Sequence, residues 1–285
     1  MKLVVFENSP TRYSIGAFVD DDTIVVLSEG LTPQEVNDSF DLDREFMQLA
    51  EDSLRNDSSK KIDRNNVRLT APVPRPGKII CIGLNYRNHA IESGMEIPKS
   101  PIIFSKFQTS VIGPGDPIRL PVGSEQVDYE AELAVVIGRH AKNVDAEQAM
   151  EYVLGYTNFN DVSARDFQFA DGQWQRGKSC DTFAPMGPFI ATKDEIADPH
   201  TLGIRFRLNR EKLQDSTTAE LIFGVPALIE FLSRSITLEP GDVIATGTPP
   251  GVGFARKPPV FMKGGDIAEV EIDGLGRLSN PVMSS

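Results

Sequence analysis

The chain has 285 residues, 40% hydrophobic and 25% charged, the composition of a globular protein that can bury a large core without disulfide staples. Its 29 Lys and Arg against 41 Asp and Glu leave a net charge of −12, which repels nucleic acid and anionic membrane unless a basic patch intervenes, and none is visible. No apolar run is long enough to span a bilayer, and Glu7 and Asn8 interrupt the N-terminal apolar run before it makes a signal peptide, so the expected compartment is the cytoplasm.

In chain order, KLVVF, SIGAFV and TIVVL are short β-rich runs separated by turn residues. A polar, helix-prone stretch runs from Thr32 to about Leu54, with sparse apolar positions at Val36, Phe40, Phe46, Leu49 and Leu54. RNDSSKKIDRNN reads as an exposed loop, and the proline-rich APVPRPG, Ala71 to Gly77, as a linker. Residues 1–70 are thus expected to form a small N-terminal α+β domain, and residues 71–285 a larger one. That larger part is dominated by strand signals: KIICIG, PIIFSK, EAELAVVIG, PMGPFIAT, IRFRLN, DVIATG and IAEVEID. Two helices are predicted in it. Residues 145–154 start at a capping Asp145 and place Ala146, Ala149, Met150 and Val153 on one face. Residues 225–236 carry Pro226 in the first turn and a stripe of Val225, Leu228, Ile229, Leu232 and Ile236. Strands and helices do not alternate strictly, which argues against a doubly wound nucleotide-binding sheet. Cys81 and Cys180 make no C-x-x-C and are read as reduced structural thiols.

GQWQRGKS, Gly172 to Ser179, fits the phosphate-cradling pattern G-x-x-x-x-G-K-[ST]. A true phosphate loop joins a buried strand to a helix. Here ARDFQFAD precedes it, and Pro185, Gly187 and Pro188 leave little room for a helix after it. The nucleotide reading therefore fails, and Lys178 needs another anion. Gly172 and Gly177 read as loop hinges, and Trp174 as either a pocket wall or part of an ordinary surface loop.

DYEAELAVVIG offers a different chemistry. Alternate residues of a strand share a face, so Glu130 and Glu132 project together. They are either solvated acids on a strand edge or a pair sharing a cation or proton. Asp161, in NFNDVSARD, is either a helix cap or a third oxygen ligand brought back beside them; three oxygens suit a hard divalent ion better than zinc. In GLNYRNHAIESG, His89 and Glu92 stand three residues apart, as a surface pair or as a base oriented by a carboxylate, with Gly83 and Gly94 flanking a possible lid. His140 and His200 have no such partner and read as loop residues. LEPGDVIATGTPPGVG ends in a glycine-rich turn that is either a tight hairpin or a means of showing amides and the Thr248 hydroxyl to an anion.

CIGLNYRNHAIESG, DYEAELAVVIG, NDVSARDFQ, GKSCDTFAPMGP, STTAELIF and LEPGDVIATGTPPGVG together resemble the fumarylacetoacetate hydrolase family, in its order, across roughly residues 71–285. The resemblance implies a β-rich α+β fold built on a mixed-sheet roll, preceded by a small N-terminal domain, and a homodimer with bound Mg²⁺ or Mn²⁺. It implies that Glu130, Glu132 and Asp161 hold the metal, that Gln168 and Thr248 line the substrate pocket with support from Arg165, and that Lys178 meets the substrate's charge. His89 and Glu92 match the lid dyad of acylpyruvate-hydrolase-like members. The implied reaction is hydrolysis of a carbon–carbon bond in an acylpyruvate or 2,4-dioxo acid. Oxaloacetate decarboxylation and isomerisation of a dienoic diacid are alternatives at the same site. Substrate choice would lie in loops such as FADGQWQR.

Overall fold

Short β-rich runs begin the chain, and in a computed structural model describing residues 1–9, 11–170 and 172–284 they pair with one another. They form β1 (Lys2–Ser9), β2 (Arg12–Phe18) and β3 (Thr23–Leu31), antiparallel in that order. The helix-prone stretch is two helices, α1 (Pro33–Ser39) and α2 (Phe46–Arg55). Thr32 opens α1 with a reciprocal capping box: its hydroxyl accepts from the Glu35 amide at 3.3 Å, and the Glu35 carboxylate accepts from the Thr32 amide at 2.8 Å. Inside the stretch read as a loop, Lys61–Asp63 makes β4 against β3; three residues are too few to show a period.

The proline-rich stretch leads into β5 (Ile79–Gly83), α3 (Arg87–Glu92) and β6 (Ile102–Ser105). Three two-residue strands follow: β7 (Val111–Ile112), β8 (Ile118–Arg119) and β9 (Val127–Asp128). The long central pair is β10 (Ala131–Ile137) and β11 (Val153–Asn160). After it come β12 (Ser163–Ala164), α4 (Arg165–Ala170), α5 (Gln175–Lys178) and β13 (Ala184–Thr192). The chain then continues through β14 (Gly203–Leu208), β15 (Glu211–Thr217), α6 (Val225–Ser233), β16 (Val243–Ala245), β17 (Ile267–Ile272) and β18 (Arg277–Met283).

The main sheet has the order β4-β3-β2-β1-β13-β11-β10-β16-β5-β6, with β7 added on β13. It is mixed: β16 is parallel to β5 and antiparallel to β10. A second sheet, β15-β14-β17-β18-β8, packs on it through β10, β11 and β13. β1 pairs with β13 through Lys2↔Ala191 and Leu3↔Ile190, so the sheet runs continuously across the proline-rich stretch. β10 lies deep inside. Its Ala131, Leu133, Val135 and Ile137 join one apolar cluster, and Ala134 and Val136 join another on the opposite face. This is the β-rich α+β architecture with mixed sheets that the resemblance implied.

Two local expectations are corrected. The helix expected over residues 145–154 is a turn followed by a single 3₁₀ turn, Ala149–Tyr152. Val153 is already strand, paired with Ile137. So short a stretch nucleates a helix poorly, and the ladder to β10 takes its end. The other helix forms, but it ends at Ser233 and leaves Ile236 beyond it.

Candidate active site

The β10–β11 ladder assembles the carboxylates. Ala131 pairs with Asn160 and Glu132 with Phe159, so Glu130 just before β10 lies against Asp161 just after β11. The Asp161 amide donates to the Glu130 carbonyl at 2.9 Å, and the Glu130 amide donates to Asn160 Oδ1 at 3.0 Å. Glu130 and Glu132 project to one face, as their spacing predicted, and Asp161 joins them. One oxygen from each lies within 4.8 Å of the others, and all three residues are buried. The solvated-edge reading of these acids is thereby excluded.

Cations from three other segments hold this charge. Lys178 Nζ donates to Glu130 Oε2 at 2.6 Å and to Asp161 Oδ2 at 2.8 Å. Lys106 Nζ donates to Asp161 Oδ1 and, at 2.9 Å, to the Val162 carbonyl. Arg165 reaches Glu130 Oε1 through Nη2 at 2.6 Å, Asp128 Oδ2 through Nε at 2.8 Å and Gln168 Oε1 through Nη1 at 3.0 Å. Four buried carboxylates thus face three buried cations, and Glu132 is the one left over: among the described residues its side chain accepts only the Gly247 amide, at 2.9 Å.

The ionisation of these groups follows from their neighbours. Burial, then the charges of Asp161 and Glu130, push the Glu132 carboxyl well above the ordinary carboxylate range. Burial acts the same way on Glu130, but Lys178 and Arg165 beside it win and hold it well below. Burial opposes the charge on Lys178 as well, and Asp161 and Glu130 overcome it, so the ammonium is retained. A site of oxygen donors with one uncompensated negative charge fits a hard divalent cation. Glu130, Glu132 and Asp161 are the residues that could hold it.

A cavity of about 350 Å³ opens over the triad. Its walls include Phe104, Trp174, Phe169 and Phe254, and its polar lining includes His89, Arg165, Gln168, Lys178 and Thr248. Of the nine residues expected at the site, seven line this cavity, and an eighth, Asp161, joins Glu130 and Glu132 in the triad. The ninth, Glu92, stands behind His89 with an oxygen 2.9 Å from Nδ1. A carboxylate accepts, so Nδ1 is the donor in that contact, and Nε2 has no hydrogen-bond partner among the described residues. Because Arg165 takes the Gln168 amide oxygen, the amide nitrogen is the end left for a ligand. Trp174 is a pocket wall, edge-on to Phe104 at 5.5 Å between ring centroids. A larger cleft of about 1130 Å³, walled by Phe18, Leu54, Phe189 and Ile267, holds none of these groups.

Several expectations change at the atomic level. The Thr248 hydroxyl donates to the Ala131 carbonyl at 2.9 Å and accepts from Gln214 Nε2 at 2.8 Å, and the Gly247 amide serves Glu132, so these two groups of the turn have partners within the protein. Gly177 lies in α5 rather than in a hinge loop, and a Cβ there would stand 2.6 Å from the Gln168 backbone nitrogen. Gly83 ends β5, and a Cβ there would stand 2.8 Å from the Trp174 ring. His140 is exposed, as expected of a loop residue. His200 does have partners, with Nδ1 3.1 Å from Asp198 and Nε2 accepting the Val225 amide at 3.0 Å, at the start of α6. In FADGQWQR, Asp171 lies outside the described residues.

Sequence reasoning missed Lys106, Asp128, Asn160 and Gln214. Lys106 ends an apolar strand signal as a lone lysine, which was the only cue to a buried charge. Asp128 stood in the quoted DYE run, two residues before Glu130. Gln214 donates to the Pro249 carbonyl as well as to Thr248, and its Oε1 accepts the Ala131 amide, bracing the triad strand against the 247–249 turn.

Residues 78–283 match the family described as fumarylacetoacetate (FAA) hydrolase C-terminal. The Xenopus laevis protein named oxaloacetate tautomerase fahd2, mitochondrial, is 52% identical over 248 residues, covering 84% of this chain and 78% of that protein. A solved 5-carboxymethyl-2-hydroxymuconate delta-isomerase from Mycobacterium smegmatis is 37% identical with a TM-score of 0.80, covering 100% of both chains. A fumarylacetoacetate hydrolase from Exiguobacterium antarcticum is 35% identical with a TM-score of 0.83, again over 100% of both. The matched span contains every residue of the buried site, and on that ground the chain belongs to the fumarylacetoacetate hydrolase family.

Proposed function

We propose that this protein is a Mg²⁺- or Mn²⁺-dependent enzyme that moves a proton at the carbon beside the keto group of a small 2-oxo acid, interconverting the keto and enol forms of an oxaloacetate-type substrate. The observation that carries this reading is one cavity with two kinds of equipment: a buried carboxylate triad whose Glu132 has no cation partner among the described residues, and a carboxylate-oriented imidazole whose Nε2 has no hydrogen-bond partner among them. The name of the Xenopus laevis relative, 52% identical, points the same way.

The triad would hold the ion, which when bound supplies fixed positive charge to the two neighbouring oxygens of a 2-oxo acid. Gln168 presents its amide nitrogen to the substrate carboxylate, and Lys178, kept protonated, adds charge beside it. His89 accepts the C3 proton at Nε2 and holds it until it returns to oxygen or carbon, while Glu92 keeps the ring oriented. The aromatic walls exclude water from the exchange. Disappearance of the oxaloacetate enol absorbance, followed with and without Mn²⁺, tests this. The rate should fall about 10²–10⁴-fold in His89→Ala. A rate unchanged in that variant, or in EDTA-stripped protein, would sink the reading.

Hydrolysis of an acylpyruvate or 2,4-dioxo acid is the second reading, favoured by the apolar walls that could take an acyl chain. His89 would then activate water. Pyruvate released from a panel of acylpyruvates decides it. Decarboxylation of oxaloacetate needs no attacking water, so His89→Ala should spare carbon dioxide release relative to hydrolysis. A homodimer and the cytoplasm belong to the same proposal. Sedimentation tests the first. Cell fractionation tests the second, with the mitochondrial location in the relative's name as the other outcome.

A further inference from the structure

Asp128 belongs to neither the triad nor the imidazole dyad, yet it touches the segments that hold both. Its side chain is fully buried and accepts four hydrogen bonds. Oδ1 takes the Tyr129 amide at 2.8 Å and the Gly253 amide at 2.7 Å; Oδ2 takes Arg165 Nε at 2.8 Å and the Phe254 amide at 3.1 Å. On one side, Arg165 goes on to Glu130 and to the Gln168 amide oxygen. On the other, the bound turn continues back to Gly251, whose amide faces both Glu92 oxygens at 3.0 Å each. Glu92 in turn holds His89. The neighbouring Tyr129 hydroxyl donates to the Gly251 carbonyl at 3.1 Å and ties the same turn a second time.

The close approach is specific to the residues present. A Cβ on Gly253 would stand 2.5 Å from Asp128 Oδ1 and 1.9 Å from the Val260 carbonyl, so only glycine lets the turn reach the carboxylate. The Phe254 side chain then lies with its ring centroid 4.5 Å from the Arg165 guanidinium carbon and forms part of the cavity wall. One carboxylate thus fixes the Arg165 fork, the turn and a wall ring.

We propose that Asp128 is a positioning residue that sets the His89–Glu92 dyad at a fixed place relative to the carboxylate triad, acting through the Gly251–Phe254 turn. It touches no substrate. It works because the base and the groups that bind the 2-oxo acid stand on different segments, and proton transfer falls steeply when such groups drift by about 1 Å. The kinetic consequence rests on the proposed role of His89; the mechanical link does not.

Two arms test it. Amide hydrogen exchange needs no substrate. Asp128→Asn should speed exchange at Gly251, Gly253 and Phe254 and along α3, while Glu92→Ala, at a partly exposed position, should release Gly251 and α3 and leave Gly253 and Phe254 protected. Exchange in Asp128→Asn that rises in the turn but not in α3 overturns the proposal, as does an α3 that stays protected in Glu92→Ala. The second arm is a kinetic cycle on oxaloacetate. Asp128→Asn should lower kcat about 10–100-fold with KM changed less than about 3-fold, and should add less than about 2-fold in a His89→Ala background. Equal losses in both backgrounds would mean a general structural role. If wild-type protein does not act on oxaloacetate, the proposed function fails while the exchange arm still decides the link. Should Asp128→Asn not fold, Glu92→Ala carries the exchange test.

Discussion

Glu132 is the one carboxylate of the buried site with no cation partner among the described residues, and that makes it the residue whose removal should help the metal-free fold. Its carboxyl is held well above the carboxylate range by burial and by two neighbouring acids. The folded state therefore binds this proton more tightly than the unfolded chain, and stability falls as pH rises from the unfolded value toward the folded one. Glu130 has the opposite sign: its contribution is present above the ordinary carboxylate range and fades as pH falls below it. Metal-stripped Glu132→Gln should melt higher than stripped wild type at neutral pH. Added Mn²⁺ should raise the melting temperature of wild type and not of the variant. Thermal denaturation with and without Mn²⁺ checks both; a stripped variant that melts lower would contradict the charge assignment. Lys106→Met leaves Asp161 Oδ1 and the Val162 carbonyl without their donor in the core, and should cost roughly 3–5 kcal/mol in urea denaturation.

At the scale of elements, the turn after β16 joins stability to chemistry. Gly251 has φ +102°, and a Cβ there would stand 2.3 Å from the Leu213 carbonyl. Gly251→Ala should cost at least about 1–3 kcal/mol and displace the amide that grips Glu92, so melting temperature and kcat should fall together. A variant that loses stability while keeping full kcat would show that the grip is dispensable. The strands were readable because a two-residue period survives in EAELAVVIG, whose alternate residues enter two separate apolar clusters. Residues 145–154 misled because a capping Asp and four apolar positions imitate a helix, while the pairing of Val153 with Ile137 is a nonlocal fact. The His89–Glu92 pair was legible from its spacing in α3; the turn that holds it, about 160 residues later, was not.

For the whole molecule, the join between β1 and β13 matters most. Leu3, Val5, Ile15, Val36 and Phe40 share an apolar cluster with Val73, Ile79, Ala134 and Val136, across the boundary expected at residue 70. Residues 71–285 alone would expose that cluster and the β13 edge that Lys2 and Leu3 now cover. The fragment is expected to aggregate or to lose cooperative unfolding, as read by size exclusion and circular dichroism. A soluble fragment with a sharp transition would show instead that residues 1–70 are dispensable for folding. Among the described residues, no helix is long and apolar enough to cross a membrane.

Local spacing determined which face each carboxylate takes and that His89 and Glu92 would meet, because strand and helix periods are properties of the backbone alone. It also rejected the phosphate-loop reading of GQWQRGKS, and the structure puts β13 soon after Lys178 and gives that lysine two carboxylates as partners. The tertiary structure decided the rest. Lys106, Asp128 and Gln214 meet partners 55, 125 and 34 residues away, at Asp161, Gly253 and Thr248. Such meetings depend on sheet order and register, and a period read along one segment carries no information about which distant segment will be laid beside it.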